Sequence, residues 1–226
     1  MTFDHRTAIP AILEVGSRRT FAWADDWPGW CRSGRDEAAA LAALAAAGTR
    51  YAPVADAAGL ALPWEADTPF DVVERVTGDA TTDFGAPGKV VTLDRAPLTR
   101  VQAARQVALL EAAWSTFDAV VSAAPLELRR GPRGGGRDRD QVAGHVVRAE
   151  TAYARVMGLK LAEPDPADPV AIAAQRASIV AVLRLPSDGL PLAGKRWPPR
   201  TAARRIAWHV LDHAWEIEDR MEAPAG

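Results

Sequence analysis

The chain has 226 residues, of which 48% are hydrophobic and 25% are charged, and its formal net charge is −2. These values indicate a globular protein of one large or two small domains, and they argue against general affinity for nucleic acid or membrane surfaces. No apolar stretch reaches the roughly 18 residues of a membrane span, and the N-terminus lacks a signal-peptide pattern. The single cysteine excludes an intramolecular disulfide. We therefore expect a cytoplasmic protein.

Residues 1–95 are predicted to form an α+β module. Two short strands are predicted at residues 11–15 and 19–25, because both segments are apolar and rich in β-formers. Gly16-Ser17 between them suits a tight hairpin turn. The module therefore begins as a β-hairpin.

An alanine-rich helix is predicted after the hairpin, from Asp36 to about Ala47. Asp36 is its predicted N-cap, because a short carboxylate can accept hydrogen bonds from the first free backbone amides. The remainder of the module is predicted to be a linker with room for one helical turn, a strand and a Gly/Pro-rich loop, in this order, at residues 52–69, 70–76 and 77–89.

Residues 96–226 are predicted to form an all-α domain. Helical i, i+3, i+4 spacing of apolar residues begins after Pro97, and Pro125 ends this first helix. Three further helices follow, with connections of moderate length, so four helices packed as a bundle are the expected arrangement. The later helices are predicted from about Asp138 to Met157, around Ile172 to Leu183, and from about Arg200 to Met221.

A polar stripe runs along the last predicted helix. His209 and His213 are separated by four residues and lie one turn apart on one face, and Glu216 shares that face. Both flanks of the stripe are apolar, so the helix is expected to be mostly buried. Because unpaired polar groups are costly to bury, the stripe is expected to line an internal cavity. Asp212 borders the stripe and is expected either to pair with a nearby arginine or to support an imidazole from outside the ligand set.

A third histidine, His145, lies in the middle of the apolar stripe of the second helix and is expected to point inward. Together with His209 and His213 it offers three imidazole nitrogens to one divalent ion, with zinc as the first choice and nickel or iron as alternatives. The competing interpretation is that the histidines are core residues hydrogen-bonded to neighbours. Glu150 lies about 140° from His145 around the helix and is not expected to be a ligand.

A Gly/Arg-rich segment precedes the His145 helix, and a second basic cluster precedes the His209 pair. Glycines allow backbone N–H groups to turn toward an anion, and a following helix N-terminus adds partial positive charge. The alternative is a solvated loop with salt-bridged arginines. Binding of an anionic substrate is predicted for Arg130, Arg133, Arg137 and Arg205.

The segments DRDQVAGHVVRAETAY and RRIAWHVLDHAWEIEDR resemble the DinB superfamily, in the helix order as well as in the histidines. The resemblance covers about residues 97–222 and implies a DinB-like four-helix bundle with His145, His209 and His213 as metal ligands. Some members resemble S-transferases and isomerases that use a low-molecular-weight thiol such as mycothiol. Glu216 would then act as a general base or a fourth ligand, or would only orient a histidine or pair with Arg220.

The N-terminal segment from Ile12 to about Ala47 resembles HicB-like domains. The shared pattern is two strands followed by WPGWCRSGRDEAAALAAL, in which a Pro-Gly turn and a glycine precede an acidic helix start. Since such modules are reused in different proteins, the resemblance does not imply an antitoxin.

The expected function is a metal-dependent enzyme acting on a small anionic or electrophilic metabolite, as a thiol S-transferase or isomerase. A bound divalent ion lowers the pKa of a thiol or of water, which supplies a nucleophile at neutral pH. Two alternatives stay open: a metal-dependent hydrolase, and a non-catalytic module that binds a small molecule or a partner. A homodimer is consistent with a helical bundle.

Overall fold

The computed structural model describes residues 8–130 and 136–221. These residues form a mixed α+β protein, with a four-stranded sheet in the N-terminal half and several helices in the C-terminal half. The strands are β1 (Ile9–Val15), β2 (Thr20–Ala24), β3 (Cys31–Gly34) and β4 (Phe70–Thr77). The helices are α1 (Glu37–Ala46), α2 (Gly48–Ala57), α3 (Ala80–Phe84), α4 (Arg100–Ala123), α5 (Arg139–Val156), α6 (Pro169–Leu183) and α7 (Pro199–Met221).

The sheet has the strand order β3-β2-β1-β4, with β1 antiparallel to β2 and parallel to β4. The β1–β2 turn is closed by a hydrogen bond of 2.9 Å from the Gly16 amide to the Arg19 carbonyl, so the predicted hairpin is confirmed. The strand predicted at residues 70–76 is also confirmed. Asp36 caps α1 as predicted, because its carboxylate accepts a hydrogen bond from the Ala39 amide at 2.8 Å.

Three elements of the N-terminal half differ from the sequence-based prediction. Residues 52–57, predicted as linker, belong to α2, where Tyr51 and Val54 are fully buried and Tyr51 donates a hydrogen bond to the Pro28 carbonyl at 2.8 Å. Tertiary packing thus outweighs the interior proline of this helix. The short strand β3 has too few apolar residues to be recognised. The predicted loop at 77–89 contains α3, which a capping box at Asp79 begins.

The four long helices of the C-terminal half occupy the predicted segments. The first of them, α4, begins after Thr99, whose side chain and that of Gln102 form a capping box, and it ends two residues before Pro125. Helix α7 packs against both α4 and α5 and carries the largest set of buried side chains. It therefore forms the centre of this half, as its apolar flanks predict.

One hydrophobic core includes side chains from both halves, among them Leu13, Trp30, Leu110 and Leu211. Gly29, between β2 and β3, has a φ of 95° and lies so close to α7 that a Cβ there would come within 2.6 Å of Leu211. The division of the chain into units at residues 95 and 96 stays a prediction. No helix in the described ranges is long and apolar enough to cross a membrane.

Candidate metal centre

Two helices bring three imidazoles together. His209 and His213 project from successive turns of α7, and His145 projects from α5. One potential ligand atom from each lies within 4.8 Å of the others, and Nε2 of His145 is 3.2 Å from Nε2 of His209. Two nitrogens bound to one tetrahedral zinc at 2.0–2.1 Å would be about 3.3 Å apart. The three histidines are therefore close enough to bind one metal ion.

His209 has few polar contacts for a buried histidine. It is 6% exposed, and its Nδ1 atom is buried without a hydrogen-bond partner among the described residues. Within the same ranges, the polar contact of its Nε2 atom is with Nε2 of His145. Nδ1 lies on the other side of the ring from Nε2, so the support for a shared ligand is the proximity of the three rings and not the unpaired Nδ1 atom.

His213 is held in place by an acidic and a basic residue of its own helix. Its Nδ1 atom lies 2.7 Å from the Glu216 carboxylate, whose other oxygen lies 3.4 Å from Nη1 of Arg220. The ring nitrogen left for a metal is therefore Nε2. A carboxylate that orients a ligating histidine in this way also raises the basicity of the ligand.

The hydrogen bond from His213 is the largest influence on Glu216 and lowers the pKa of its carboxyl group. Glu216 is thus an anion at neutral pH, and its two oxygens are engaged with His213 and Arg220. These contacts correspond to the orienting and pairing alternative for Glu216. Its action as a general base stays a prediction.

Burial and nearby positive charge keep two of the imidazoles neutral. Burial is the main cause that lowers the pKa of His145 to about 4, and the charge of Arg137 adds to it. Burial also lowers the pKa of His209 well below its ordinary value of 6.5, with further contributions from His213 and Arg205. Neutral imidazole is the form that binds metal, so at neutral pH these two rings have no proton to release.

One of the three histidines is partly exposed. His209 and His213 are buried, whereas His145 is partly exposed. A centre with three protein ligands and one accessible side leaves a coordination position for water or substrate, as catalytic zinc centres do.

The predicted anion-binding arginines occupy different environments. Arg133 lies outside the described residues, and Arg130 is exposed. Arg137 is exposed, but its charge influences His145 and Glu216, and its backbone carbonyl accepts a hydrogen bond of 2.5 Å from Arg220. The structure therefore brings Arg137 to the cluster, and Arg205 lies beside it, over the rings of Tyr153 and Trp208. Anion binding by these residues stays a prediction.

Three aromatic side chains near His209, those of Tyr153, Trp197 and Trp208, were not recognised from the sequence as part of a site. The Tyr153 ring lies edge-on to the His209 ring, with centroids 5.6 Å apart, and the Trp197 ring lies 5.4 Å from Tyr153. The guanidinium of Arg205 lies over the rings of Trp208 and Tyr153, at 4.5 and 5.4 Å from their centroids. Tyr153 lies on the same apolar stripe of α5 as His145. This shared stripe is the sequence feature from which its place beside the histidines could have been predicted.

Two neighbouring acidic residues pair with groups outside the histidine cluster, and for Asp212 this confirms the predicted ion pair. Glu150 is fully buried away from the histidines and accepts hydrogen bonds from Trp114 and Arg176. Asp212 forms an ion pair of 2.9 Å with Arg32. Neither carboxylate joins the metal-binding group.

No protein-family model, curated protein or solved structure matches the chain.

Proposed function

We propose that the protein is a divalent-metal-dependent enzyme that acts on a small metabolite, and that its C-terminal half is a DinB-like four-helix bundle. The proposal rests on one observation above all: three imidazoles with ligand atoms within 4.8 Å of one another and one partly exposed member. Zinc is the first choice for a site of three nitrogen ligands, with nickel and iron as alternatives. The resemblance of the two histidine-bearing helices to the DinB superfamily supports the same assignment.

The residues of this chain would perform three tasks. His145, His209 and His213 would hold the ion, and Glu216 would fix the ring of His213 through the 2.7 Å contact to its Nδ1 atom. When bound, the ion would lower the pKa of a thiol or a water and so supply a nucleophile at neutral pH. The buried rings of His209 and His213 would exclude solvent from all but the His145 side.

The reaction we favour is S-transfer or isomerisation with a low-molecular-weight thiol of the mycothiol type. The thiolate would add to a polarised carbon–carbon double bond of the substrate, so that the C–S bond forms as the π bond breaks and the neighbouring carbon takes a proton from solvent. In isomerisation the reverse step would release the thiolate after rotation about the new single bond. The positive charges of Arg137 and Arg205 near the cluster would favour an anionic thiolate. Hydrolysis, in which water takes the place of the thiol, is the alternative within the same site. Residues 12–47 resemble HicB-like domains, and this resemblance is compatible with either reaction.

Thiol dependence tests this proposal. Metal-loaded protein is incubated with an electrophilic substrate panel, with and without a low-molecular-weight thiol, and both thiol consumption and product formation are followed. S-transfer predicts product only when thiol and metal are both present, and none with His145→Ala. Metal-dependent product formation without thiol would replace the transferase by the hydrolase, and absence of turnover by a fully metal-loaded protein would favour a binding module.

A further inference from the structure

Arg205 differs from the other partly buried arginines of the helical half because no group among the described residues accepts a hydrogen bond from its guanidinium. In the ranges 8–130 and 136–221, no ion pair or hydrogen bond reaches its guanidinium, and its Nη1 atom is buried. Three comparable arginines of this half pair with acidic residues, as Arg176–Glu150, Arg200–Asp26 and Arg204–Asp94, and Arg105 donates to the Asp26 carbonyl. Arg200 and Arg220 also have one buried unpaired nitrogen each, but both donate through another atom. A buried donor without an acceptor is costly, so a guanidinium with no acceptor at all favours one supplied by a ligand.

The guanidinium is nevertheless held in a fixed place. Its Cζ atom lies 4.5 Å from the Trp208 ring centroid and 5.4 Å from that of Tyr153, and cation–π contacts of this kind orient a guanidinium without neutralising its charge. Arg205 therefore presents an oriented positive charge whose hydrogen-bonding capacity is unused.

This charge lies beside the histidine cluster. Arg205 precedes His209 by one helical turn on the same face of α7, and it contributes to the lowered pKa of His209. The ring of Tyr153 contacts both His209 and Arg205. The Tyr153 hydroxyl has no hydrogen-bond partner in the described part of the chain, so it is free to donate to a ligand beside Arg205.

We propose that Arg205 and Tyr153 form a carboxylate-binding subsite next to the histidine cluster. The planar guanidinium fork matches a carboxylate, and a monoanion balances the single unpaired charge. The molecule that reacts at the cluster would then carry a carboxylate about one helical turn, or about 5–6 Å, from the atom that approaches the histidines. This last step rests on the proposed metal-dependent function, whereas the subsite itself does not.

The subsite is tested first in metal-free protein, because a bound metal would itself attract a carboxylate. Propionate is titrated into the apoprotein, and binding is followed by saturation-transfer NMR, with propanol as the neutral control. We expect saturable binding of propionate and not of propanol. Binding should weaken about tenfold in Arg205→Met, which removes a charge-assisted hydrogen bond, and by a smaller factor in Tyr153→Phe.

The matched control is Arg148→Met, which removes one positive charge close to His145 from an exposed side chain and should leave propionate affinity unchanged. Arg205→Lys is the second variant in case Arg205→Met does not fold. Lysine keeps the charge but not the fork, so it should lose affinity by a few fold. Absence of saturable propionate binding by the parent protein, or equal binding by the parent and the Arg205 variants, would overturn the subsite.

A second experiment separates the subsite from the metal-dependent function. Cobalt-loaded protein is titrated with mercaptopropionate and with propanethiol, and the thiolate-to-cobalt absorption band is recorded. The parent protein should bind mercaptopropionate about tenfold more tightly, and Arg205→Met should abolish this preference without weakening propanethiol. If neither thiol reaches the cobalt while propionate still binds through Arg205, the subsite stands and the thiol chemistry fails. An unchanged preference in Arg205→Met would overturn the placement of the carboxylate.

Discussion

The helical half contains two buried polar clusters that differ in how completely their groups are paired. Around Glu150, the carboxylate accepts from the Trp114 indole at 2.8 Å and from Arg176 at 3.2 Å, and Arg176 also binds Asp118. Around His209, one ring nitrogen and the neighbouring Arg205 Nη1 are buried without partners among the described residues. The first cluster is complete by itself, whereas the second contains polar atoms that a ligand can pair. Complete pairing indicates a structural role, and incomplete pairing indicates a binding role.

The largest effect on stability is expected when the complete cluster is broken. Glu150→Ala leaves Arg176 without its buried acceptor and the Trp114 indole unpaired, which should lower the free energy of unfolding by about 3–5 kcal/mol. Urea unfolding followed by circular dichroism measures this loss. Metal content should not change in any fraction that stays folded. A loss of less than about 1 kcal/mol would contradict the structural role of this cluster.

Removal of the Glu216 carboxylate should lower metal affinity and leave stability nearly unchanged, which is the reverse of the effect expected for Glu150. Glu216→Gln weakens the contact that positions His213, so we expect metal affinity to fall by about 10- to 100-fold with little change in the stability of metal-free protein. Competition with a chromophoric chelator gives the affinity. Equal affinity in the parent and the variant would show that Glu216 does not act through His213.

The pH dependence of the metal-free protein should follow the lowered pKa values of its histidines. The folded pKa of His145 is about 4 and that of His209 is well below 6.5, so the unfolded chain binds more protons than the folded one between these values. The free energy of unfolding should therefore decrease as the pH falls from about 6.5 to about 4. Urea titrations across this range measure the slope, and His209→Gln should make it shallower. A slope that His209→Gln leaves unchanged would contradict neutral, buried imidazoles.

The smallest effect is expected for the ion pair at the edge of the cluster. The Asp212 side chain is 42% exposed in its pair with Arg32, and exposed pairs contribute about 0–1 kcal/mol. Asp212→Asn should therefore change stability by less than about 1 kcal/mol and leave metal binding intact. Thermal unfolding and metal titration check both points, and loss of metal in this variant would place Asp212 among the metal-binding groups.

Helical periodicity made the histidine cluster predictable. The spacing of His209, His213 and Glu216 on one face of α7, together with the inward position of His145 in the stripe of α5, depends on local sequence alone. The hairpin and the Asp36 cap were predictable for the same reason, since each depends on a few neighbouring residues.

Features that depend on distant parts of the chain were not predictable. Residues 52–57 are helical because Tyr51 and Val54 pack into the core, although the local sequence contains Pro53. The missing partner of Arg205 is equally invisible in the sequence, because neighbouring arginines such as Arg204 find carboxylates far along the chain. Whether a buried charge is paired is a tertiary property.

The metal content of the protein tests the central claim most directly. Protein purified without a metal-binding tag is analysed for zinc, nickel and iron, beside His145→Ala, His209→Ala and His213→Ala. His5→Ala serves as the matched control, since this fourth histidine of the chain lies outside the described residues. The account predicts about one equivalent of metal in the parent and in His5→Ala and a loss of metal in each of the other three while they stay folded. No metal in the parent after incubation with these ions, or full metal content in the three variants, would contradict it.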